Sequence, residues 1–270
     1  MDYKATLPEQ NYNVSHNHPL REFVVLLAGV AAIILVVFWA MGFAVDLAVD
    51  YLPPAKEKLL FAKLGKQFPV DPSVSADEVA ALQQLADSVG HCVEVGYPVE
   101  VRVVESDMVN AFALPGGVIV VFTALLDKVH SENGLAFILA HELAHYKNRD
   151  HLRGMGRGIV LAAISTILTG ANSGVSQMLA PTNDFGMAQY SQDRESAADT
   201  TALAALNCYY GHVGGAMEFF ATMQDDVDQH DAGVMQYFAS HPQMKERIHT
   251  LTEIAKRQGY DDGPVEELRF

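Results

Sequence analysis

The stretch His141-Glu142-Leu143-Ala144-His145 places two histidines four residues apart. On an α-helix this spacing puts both imidazoles on one face, about one turn from each other, so both can reach a single metal ion. Glu142 can then lie beside a metal-bound water and act as a general base, as in the HExxH motif of zinc peptidases. Leucine and isoleucine recur at helical spacing before the motif, and Ser131 suits the N-cap of this helix. The alternative is an ordinary amphipathic helix with two half-buried histidines.

A catalytic zinc site also needs a third protein ligand. Residue Asn148 stands where an HExxHxxGxxH motif requires glycine, so that pattern is absent. Residues 191–199 are a better candidate, because Ser191 can cap a helix on which Glu195 and Asp199 lie one turn apart. Glu195 would complete a set of two histidines and one glutamate, and Asp199 would accept a hydrogen bond from the outer nitrogen of a ligating histidine. An acidic pair at this spacing is also common on solvated helix faces.

The composition limits the classes of protein and of metal site. The chain has 270 residues, a net charge of −15 and a hydrophobic content of 50%. It has no basic stripe interleaved with aromatic residues, so nucleic-acid binding is not expected. The two cysteines, Cys92 and Cys208, lie far apart in sequence and argue against a thiolate zinc site. They form either a single disulfide or two separate buried thiols.

The N-terminal part of the chain predicts a membrane anchor. Residues 23–45 contain no charged side chain and are long enough to cross a bilayer as a helix, whereas a cleaved signal peptide would be shorter. We therefore predict a flexible tail at 1–22, a transmembrane anchor at 23–46 and a juxtamembrane linker at 47–76. Within the linker, residues 56–68 are amphipathic and either pack on the domain or lie on the membrane surface. Four lysines follow the span, and the positive-inside rule alone would place the domain in the cytoplasm.

Residues 77–270 are predicted to form one folded domain of the α+β class, mainly helical with a small β-sheet. Ser75 and Glu78 form a capping box just before its first helix. Alternating or β-prone apolar residues predict three strands, at 99–103, 109–114 and 118–122.

The segments after the motif are less regular. Residues 159–168 are apolar and predict a core helix, with a membrane-dipping hairpin as the alternative. Residues 179–190 are typical of a loop. The domain is predicted to close with residues 233–238 and with a helix over 242–255, where Pro242 suits the first turn.

Four segments, in this order, resemble the HtpX-like, CAAX-prenyl-endopeptidase and Oma-type family of membrane zinc peptidases. They are Asn110-Ala-Phe-Ala-Leu-Pro-Gly-Gly117 before a Val/Ile strand, His141-Glu-Leu-Ala-His145, Arg194-Glu195-Ser-Ala-Ala-Asp199, and Ser240-His241-Pro242 with Arg247-Ile248. Together they span roughly residues 77–255. The HExxH motif is shared by many peptidases, but the four segments in order are specific to this family.

The resemblance implies a gluzincin fold with one Zn²⁺ per chain. Its ligands would be His141, His145 and Glu195, with Glu142 as the catalytic residue. His241 matches a family histidine near the active site and is a candidate fourth contact to the metal or the substrate; the alternative is a helix-capping surface histidine. The first segment resembles the family's substrate-aligning strand, which assigns extended-peptide binding to Asn110, Ala111, Phe112 and Ala113.

The family also bears on the side of the membrane. Many members have several spans, and the single anchor of this chain is similar to bacterial Oma-like members whose peptidase domains face the periplasm. The resemblance thus implies an extracytoplasmic domain, against the lysine count.

The sequence therefore predicts a membrane-anchored zinc metalloendopeptidase that acts on misfolded membrane or envelope proteins. Its expected partners are polypeptide substrates and, through residues 23–45, the lipid bilayer; the oligomeric state is left open. One rival is a membrane-tethered, chaperone-like binding module with a latent zinc site. Another is a structural membrane protein whose HExxH motif is accidental.

Overall fold

A computed structural model describes residues 19–169, 191–228, 241 and 244–268. The described helices are α1 (Pro19–Tyr51), α2 (Pro54–Phe61), α3 (Ala76–Val93), α4 (Thr123–Leu126), α5 (Glu132–Lys147), α6 (Asp150–Thr169), α7 (Gln192–Tyr210), α8 (Glu218–Asp228) and α9 (Met244–Gln258). One three-stranded sheet contains β1 (Glu100–Val104), β2 (Ala111–Leu114) and β3 (Val118–Phe122). This confirms the predicted α+β, mainly helical class. The predicted loop at 179–190, the segment at 233–238 and Pro242 lie outside the described residues, as does the tail before residue 19.

Helix α1 is longer than the predicted anchor. It begins at Pro19, within the predicted tail, and continues through Tyr51, into the predicted linker. Among the described residues it is the one helix long and apolar enough to cross a membrane. The helix passes beyond the uncharged run because Asp46 and Asp50 form ion pairs with arginines of α6. It ends before Pro53, which caps α2 with an extended backbone.

The sheet has the strand order β1-β3-β2, with β3 parallel to β1 and antiparallel to β2. The turn between β2 and β3 needs glycine, because Gly116 and Gly117 both have positive φ, at 96° and 88°. One sheet face contributes Val101, Ala111 and Ile119 to the main core with the helices. Strand β3 matches the predicted range, and its five residues are buried on both faces.

The second sheet face is covered by the linker. Phe112, Val120 and their neighbours on this face form a smaller cluster against Leu64 and Phe68 of the linker, and the Phe68 and Phe112 rings meet edge to face at 5.6 Å. The linker therefore packs on the domain, the first of the two placements considered for residues 56–68. Its α2 segment does so through the fully buried Glu57, whereas the neighbouring leucines at 59 and 60 are exposed.

Helix α5 forms the centre of the helical layer. Residues 133–146 are all buried, so this helix is apolar on every side rather than amphipathic. Its Ser131 N-cap is confirmed, because the Ser131 Oγ accepts a hydrogen bond from the Gly134 N–H at 3.0 Å. Helices α3 and α7 flank it, and a disulfide between Cys92 of α3 and Cys208 of α7 joins them. The pair of separate thiols is therefore excluded in this structure.

The other capping predictions have mixed outcomes. The Ser75–Glu78 capping box is confirmed, and α3 runs through Val93 to a left-handed Glu94 with φ 63°. Ser191 occupies the N-cap of α7, but its side chain makes no capping hydrogen bond.

A helix is confirmed over residues 159–168, as part of α6, whereas burial is described only for its first two residues. Helix α6 packs mainly against α1 and also touches α5; Ile159 is 51% exposed, whereas Val160 is buried. An apolar run has the same composition whether it packs on the domain core or on another helix, so composition alone does not identify its partner.

Candidate metal centre

Helix α5 presents His141 and His145 toward the same point. Their Nε2 atoms lie 3.1 Å apart, and both side chains are almost completely buried. The i, i+4 spacing alone accounts for this convergence. The chain reverses just beyond the motif at Arg149, a left-handed residue with φ 60°, and α6 begins directly afterwards.

Helix α7 packs on α5 and supplies a carboxylate to the same point. Ala198 and Ala202 are completely buried, and such small side chains allow a close approach of the two helices. The Glu195 carboxylate lies 3.2 Å from His145 Nε2 and 3.5 Å from His141 Nε2. The predicted ligands of helices α5 and α7 are therefore brought together.

These three separations suit a zinc ion. Ligand atoms about 2.0–2.2 Å from a tetrahedral zinc lie roughly 3.3–3.6 Å from one another. The two Nε2 atoms and the Glu195 oxygens are spaced 3.1–3.5 Å apart, close to that range. With His241, they form a buried group whose potential ligand atoms all lie within 4.8 Å of one another. The residues present thus fit a metal ion held by imidazole and carboxylate.

The outer nitrogen of each α5 histidine faces a second carboxylate. His141 Nδ1 lies 3.0 Å from Asp199 Oδ1, the partner that the sequence analysis expected. His145 Nδ1 lies 3.0 Å from Asp150 Oδ2, at the start of α6. Asp150 is not predicted from the sequence; the one signal for it is its position five residues after His145, beyond the end of α5. The contact to His145 is a hydrogen bond, whereas the contact to His141 is equally close without hydrogen-bond geometry. Carboxylates in these places orient a histidine that ligates a metal through Nε2.

Charge in the centre is strongly coupled. Burial lowers the pKa of His141, but the Asp199 and Glu195 carboxylates outweigh burial and raise it to about 9. Burial raises the pKa of Glu195, whereas the three neighbouring histidines hold it far below its usual range. Glu195 is therefore ionised at neutral pH, whereas His141 carries a proton that it would have to release in order to bind a metal.

Arg247 of α9 joins the two carboxylates of α7. Its Nε and Nη2 donate to Asp199 at 2.8 and 2.6 Å, and its Nη1 lies 3.3 Å from Glu195 Oε2. The guanidinium also lies over the Phe220 ring, 4.6 Å from its centroid. Burial raises the pKa of Asp199, but Arg247 and His141 hold it at about 2. Arg247 belongs to a motif noted in the sequence, where it had no assigned role.

His241 and Glu142 complete the centre. His241 is 1% exposed, which excludes the surface alternative, and its Nδ1 lies 3.0 Å from Glu195 Oε2. Its Nε2 lies 3.7 Å from Glu142 Oε1. The other carboxylate oxygen of Glu142, Oε2, is buried and accepts no hydrogen bond from the described residues. That oxygen is free to take a proton from a small polar molecule at the centre.

The predicted peptide-binding residues lie on an edge strand of the described sheet. Phe122 N–H donates to Asn110 C=O at 3.1 Å, so in the β2–β3 register Phe112 also pairs inward with β3. The backbone groups of Ala111 and Ala113 consequently point away from β3. The Asn110 side chain accepts the Ala111 N–H at 2.9 Å, and residues 111–114 are all buried, so this edge is covered in the structure.

Comparison with known proteins finds one matching family and several relatives. The family model described as peptidase family M48 matches residues 76–255. Mitochondrial metalloendopeptidase OMA1 of Schizosaccharomyces pombe is 32% identical over 57% of this chain and 46% of its own length. Metalloprotease YcaL of Escherichia coli is 29% identical over 64% of this chain and 68% of its own. The beta-barrel assembly-enhancing protease of E. coli is 28% identical over 59% of this chain and 35% of its own length. The chain thus spans about half the length of the first of these relatives.

Proposed function

Because the chain belongs to peptidase family M48, we propose that it is a membrane-anchored, zinc-dependent metalloendopeptidase. The observation that carries this proposal is the convergence of His141 Nε2, His145 Nε2 and the Glu195 carboxylate at zinc-like spacing. We assign these three residues as the ligands of one zinc ion per chain. A bound zinc would supply Lewis-acid polarisation of the scissile carbonyl and would acidify the attacking water.

The residues around the zinc position have separate roles, in proton transfer and in orienting the ligands. Glu142 takes the proton of the attacking water and delivers it to the leaving amine nitrogen, since its Oε2 is unengaged and buried next to the histidines. Asp199 holds His141, and Arg247 holds Asp199 in turn. The buried position excludes bulk water, which strengthens each of these electrostatic contacts.

The substrate class is an extended polypeptide. The outward backbone groups of Ala111 and Ala113 on β2 would pair with a peptide by strand addition once the present cover of this buried strand moves aside. Asn110 holds the Ala111 N–H and so sets where pairing begins. Misfolded membrane or envelope proteins are the substrates we propose, guided by the relative named for enhancing β-barrel assembly.

Helix α1 is the proposed single membrane anchor, since 23 of its residues in a row, 23–45, are uncharged. We place the peptidase domain on the extracytoplasmic side. The Cys92–Cys208 disulfide supports that side, because such bonds persist mainly in oxidising compartments.

A second candidate function is a chaperone-like binding module with a latent zinc site. The position of His241 favours it, since this buried histidine reaches the group of potential ligand atoms and would fill the place of the attacking water. The same contact also fits a resting state of the peptidase. In either case we assign His241 as a contact to the metal or to the substrate.

The test is zinc content per chain together with casein cleavage, measured on full-length protein in detergent. Wild type should hold one zinc and cleave casein. Glu142→Gln should hold zinc without cleaving, and Glu195→Ala should lose both. Glu253→Gln, an exposed change on α9, serves as the matched control and should behave as wild type.

Each outcome separates two of the hypotheses. Zinc binding without cleavage in wild type would support the latent module, and His241→Ala should then restore cleavage if that histidine blocks the site. Normal cleavage by Glu142→Gln would reject the assigned general base. Wild type without zinc would reject the metal centre.

A further inference from the structure

Helices α1 and α6 run antiparallel from a shared charged end. Arg153 Nη2 lies 2.6 Å from Asp50, and Arg157 Nη2 lies 2.9 Å from Asp46, four residues earlier on α1. Arg153 Nη1 also lies 3.2 Å from Asp46. As the residue number rises along α6, the number of its partner on α1 falls. The two helices therefore extend from these ion pairs in the same direction.

Beyond the ion pairs both helices lack charge. On α1 the uncharged run is 23–45, and on α6 it is 158–169, which follows Arg157 directly. The register of the ion pairs places these two runs side by side. At about 1.5 Å per residue, the twelve uncharged residues of α6 extend roughly 18 Å along α1. This length exceeds half of the hydrocarbon thickness of a bilayer, about 30 Å.

Close packing supports this register. A β-carbon added to Gly156 of α6 would lie 2.5 Å from the Val45 side chain, so the helix backbones approach closely at that level. The residues of α1 from Leu20 to Ile33 are all exposed. Between Ile34 and Tyr51, the residues of α1 that are not exposed lie on one helix face. They are Ile34, Phe38, Gly42, Val45, Asp46 and Val49. One face of α1 is therefore covered over the length that α6 spans.

We propose that α6 enters the bilayer beside α1 as a second, non-spanning membrane element, with lipid acyl chains against its outer face. The proposal rests on the membrane insertion of α1. If 23–45 occupy the hydrocarbon region, the Asp46–Arg157 pair lies at its boundary and residues 158–169 lie within it. A helix satisfies its own backbone hydrogen bonds at that depth, and the exposed Ile159 presents an apolar side chain to lipid.

The test uses single-cysteine variants of the full chain in proteoliposomes. Both native cysteines are held in the disulfide, so an introduced cysteine carries the only free thiol for an NBD label. Ile159→Cys and Thr166→Cys, two turns further along α6, report on the proposed element. Val36→Cys on α1 reports on the anchor, and Glu105→Cys, which is exposed on the domain, serves as the aqueous control.

Lipids with doxyl groups on their acyl chains should quench the fluorescence of the labels at 159, 166 and 36. The label at 166 should lose more of its fluorescence than the label at 159. Aqueous iodide should quench only the label at 105. Quenching of both α6 labels by iodide, with the label at 36 still quenched by lipid, would overturn the proposal and leave the anchor intact. A label at 36 quenched by iodide would reject the anchor itself. If neither quencher reaches the two α6 labels, then protein, such as a second copy of the chain, covers α6 instead of lipid. That result would also overturn the proposal.

Discussion

At the residue scale, both ring nitrogens of each α5 histidine have a carboxylate neighbour. Each α5 histidine directs Nε2 to the shared point and Nδ1 to a carboxylate, His141 to Asp199 and His145 to Asp150. The second carboxylate is itself engaged, because Asp150 Oδ1 lies 3.3 Å from Arg194 of α7. Ring orientation is thereby set by two different helices, α6 and α7, rather than by the motif helix alone.

Asp150→Asn tests the newly found carboxylate. The amide keeps the shape but loses the charge, so His145 is a weaker and less well oriented ligand, and zinc affinity should fall about 10- to 100-fold. Competition with a chromophoric chelator measures the affinity directly. The control is Asp127→Asn, which makes the same substitution at an exposed position and should leave the zinc affinity unaltered. Equal affinities in the two variants would show that Asp150 does not position His145.

Arg247→Lys tests the clamp on the two α7 carboxylates. Lysine keeps the positive charge, but its single amino group cannot replace all three guanidinium contacts. These are the two hydrogen bonds to Asp199 and the ion pair with Glu195. We expect about 2 kcal/mol less stability in the metal-free protein and weaker zinc binding, because charge-assisted hydrogen bonds of this kind are lost. Urea unfolding of metal-free protein gives the first quantity and chelator competition the second. A stability equal to that of wild type would contradict the clamp.

The sequence predicted those site residues that depend on local spacing. His141, Glu142 and His145 follow from a helical repeat, and Glu195 with Asp199 from a second repeat plus the family resemblance. The positions of Asp150 and Arg247 depend on how the chain folds back, at the left-handed Arg149 and at the packing of α9 on α7. No local pattern encodes such contacts, because they join residues of different elements.

At the element scale, α2 differs from its amphipathic pattern. Its leucines at 59 and 60 are exposed, whereas Glu57 is completely buried. The Glu57 carboxylate accepts from Gly116 N–H at 3.0 Å and from Arg149 Nη2 at 2.7 Å, and its Oε1 lies 3.1 Å from His151 Nε2. Arg149 also donates to the Val49 and Leu52 carbonyls at the end of α1. One carboxylate thus joins the anchor, the β2–β3 turn and the chain beyond the motif.

Hydrophobicity patterns could not predict this arrangement. They assign apolar residues to the buried face, and a buried carboxylate is tolerated only when several donors satisfy it. Those donors come from residues 116, 149 and 151, far from Glu57 in sequence. By contrast, strand β3 and the Ser75–Glu78 capping box were predicted because each depends only on neighbouring residues.

Glu57→Gln should weaken the attachment of the linker and reduce the acid sensitivity of the protein. Burial raises the pKa of Glu57, but the bonds from His151, Gly116 and Arg149 outweigh it and hold the pKa at about 2, below the usual 4.5. The folded state therefore binds this proton less readily than the unfolded state. The stability from Glu57 is present above pH 4.5 and is lost as the pH falls from 4.5 toward 2.

Urea midpoints across this pH range measure the effect. At neutral pH the variant should be about 2 kcal/mol less stable than wild type, and the difference should shrink as the pH falls. Glu253→Gln, which removes an exposed carboxylate, should follow the wild-type curve. A difference between Glu57→Gln and wild type that stayed constant with pH would show that the carboxylate charge does not contribute.

At the scale of the whole molecule, the disulfide closes the helical layer around α5. It joins residues 116 positions apart in sequence and links α3 to α7, which pack against the motif helix and against each other. The double variant Cys92→Ser/Cys208→Ser should lose about 2–5 kcal/mol of stability, because the unfolded chain regains the freedom of a long loop. Thermal unfolding with and without dithiothreitol provides the control. The reductant should lower the melting temperature of wild type to that of the variant and leave the variant unchanged; a shift in both would point to another effect of the reductant.

The same disulfide makes the side of the membrane testable. The lysines after the anchor favour a cytoplasmic domain, but large domains translocate largely regardless of their charge. Disulfides persist mainly in oxidising compartments, so the proposed extracytoplasmic side predicts that the Cys92–Cys208 bond is formed in cells. In cells quenched with acid, neither Cys92 nor Cys208 should react with a maleimide until the protein is reduced, while the introduced thiol of Glu105→Cys should react at once. Reaction of both native cysteines before reduction would place the domain in a reducing compartment, and a reporter fused after Phe270 that is active only in the cytoplasm would agree with that result.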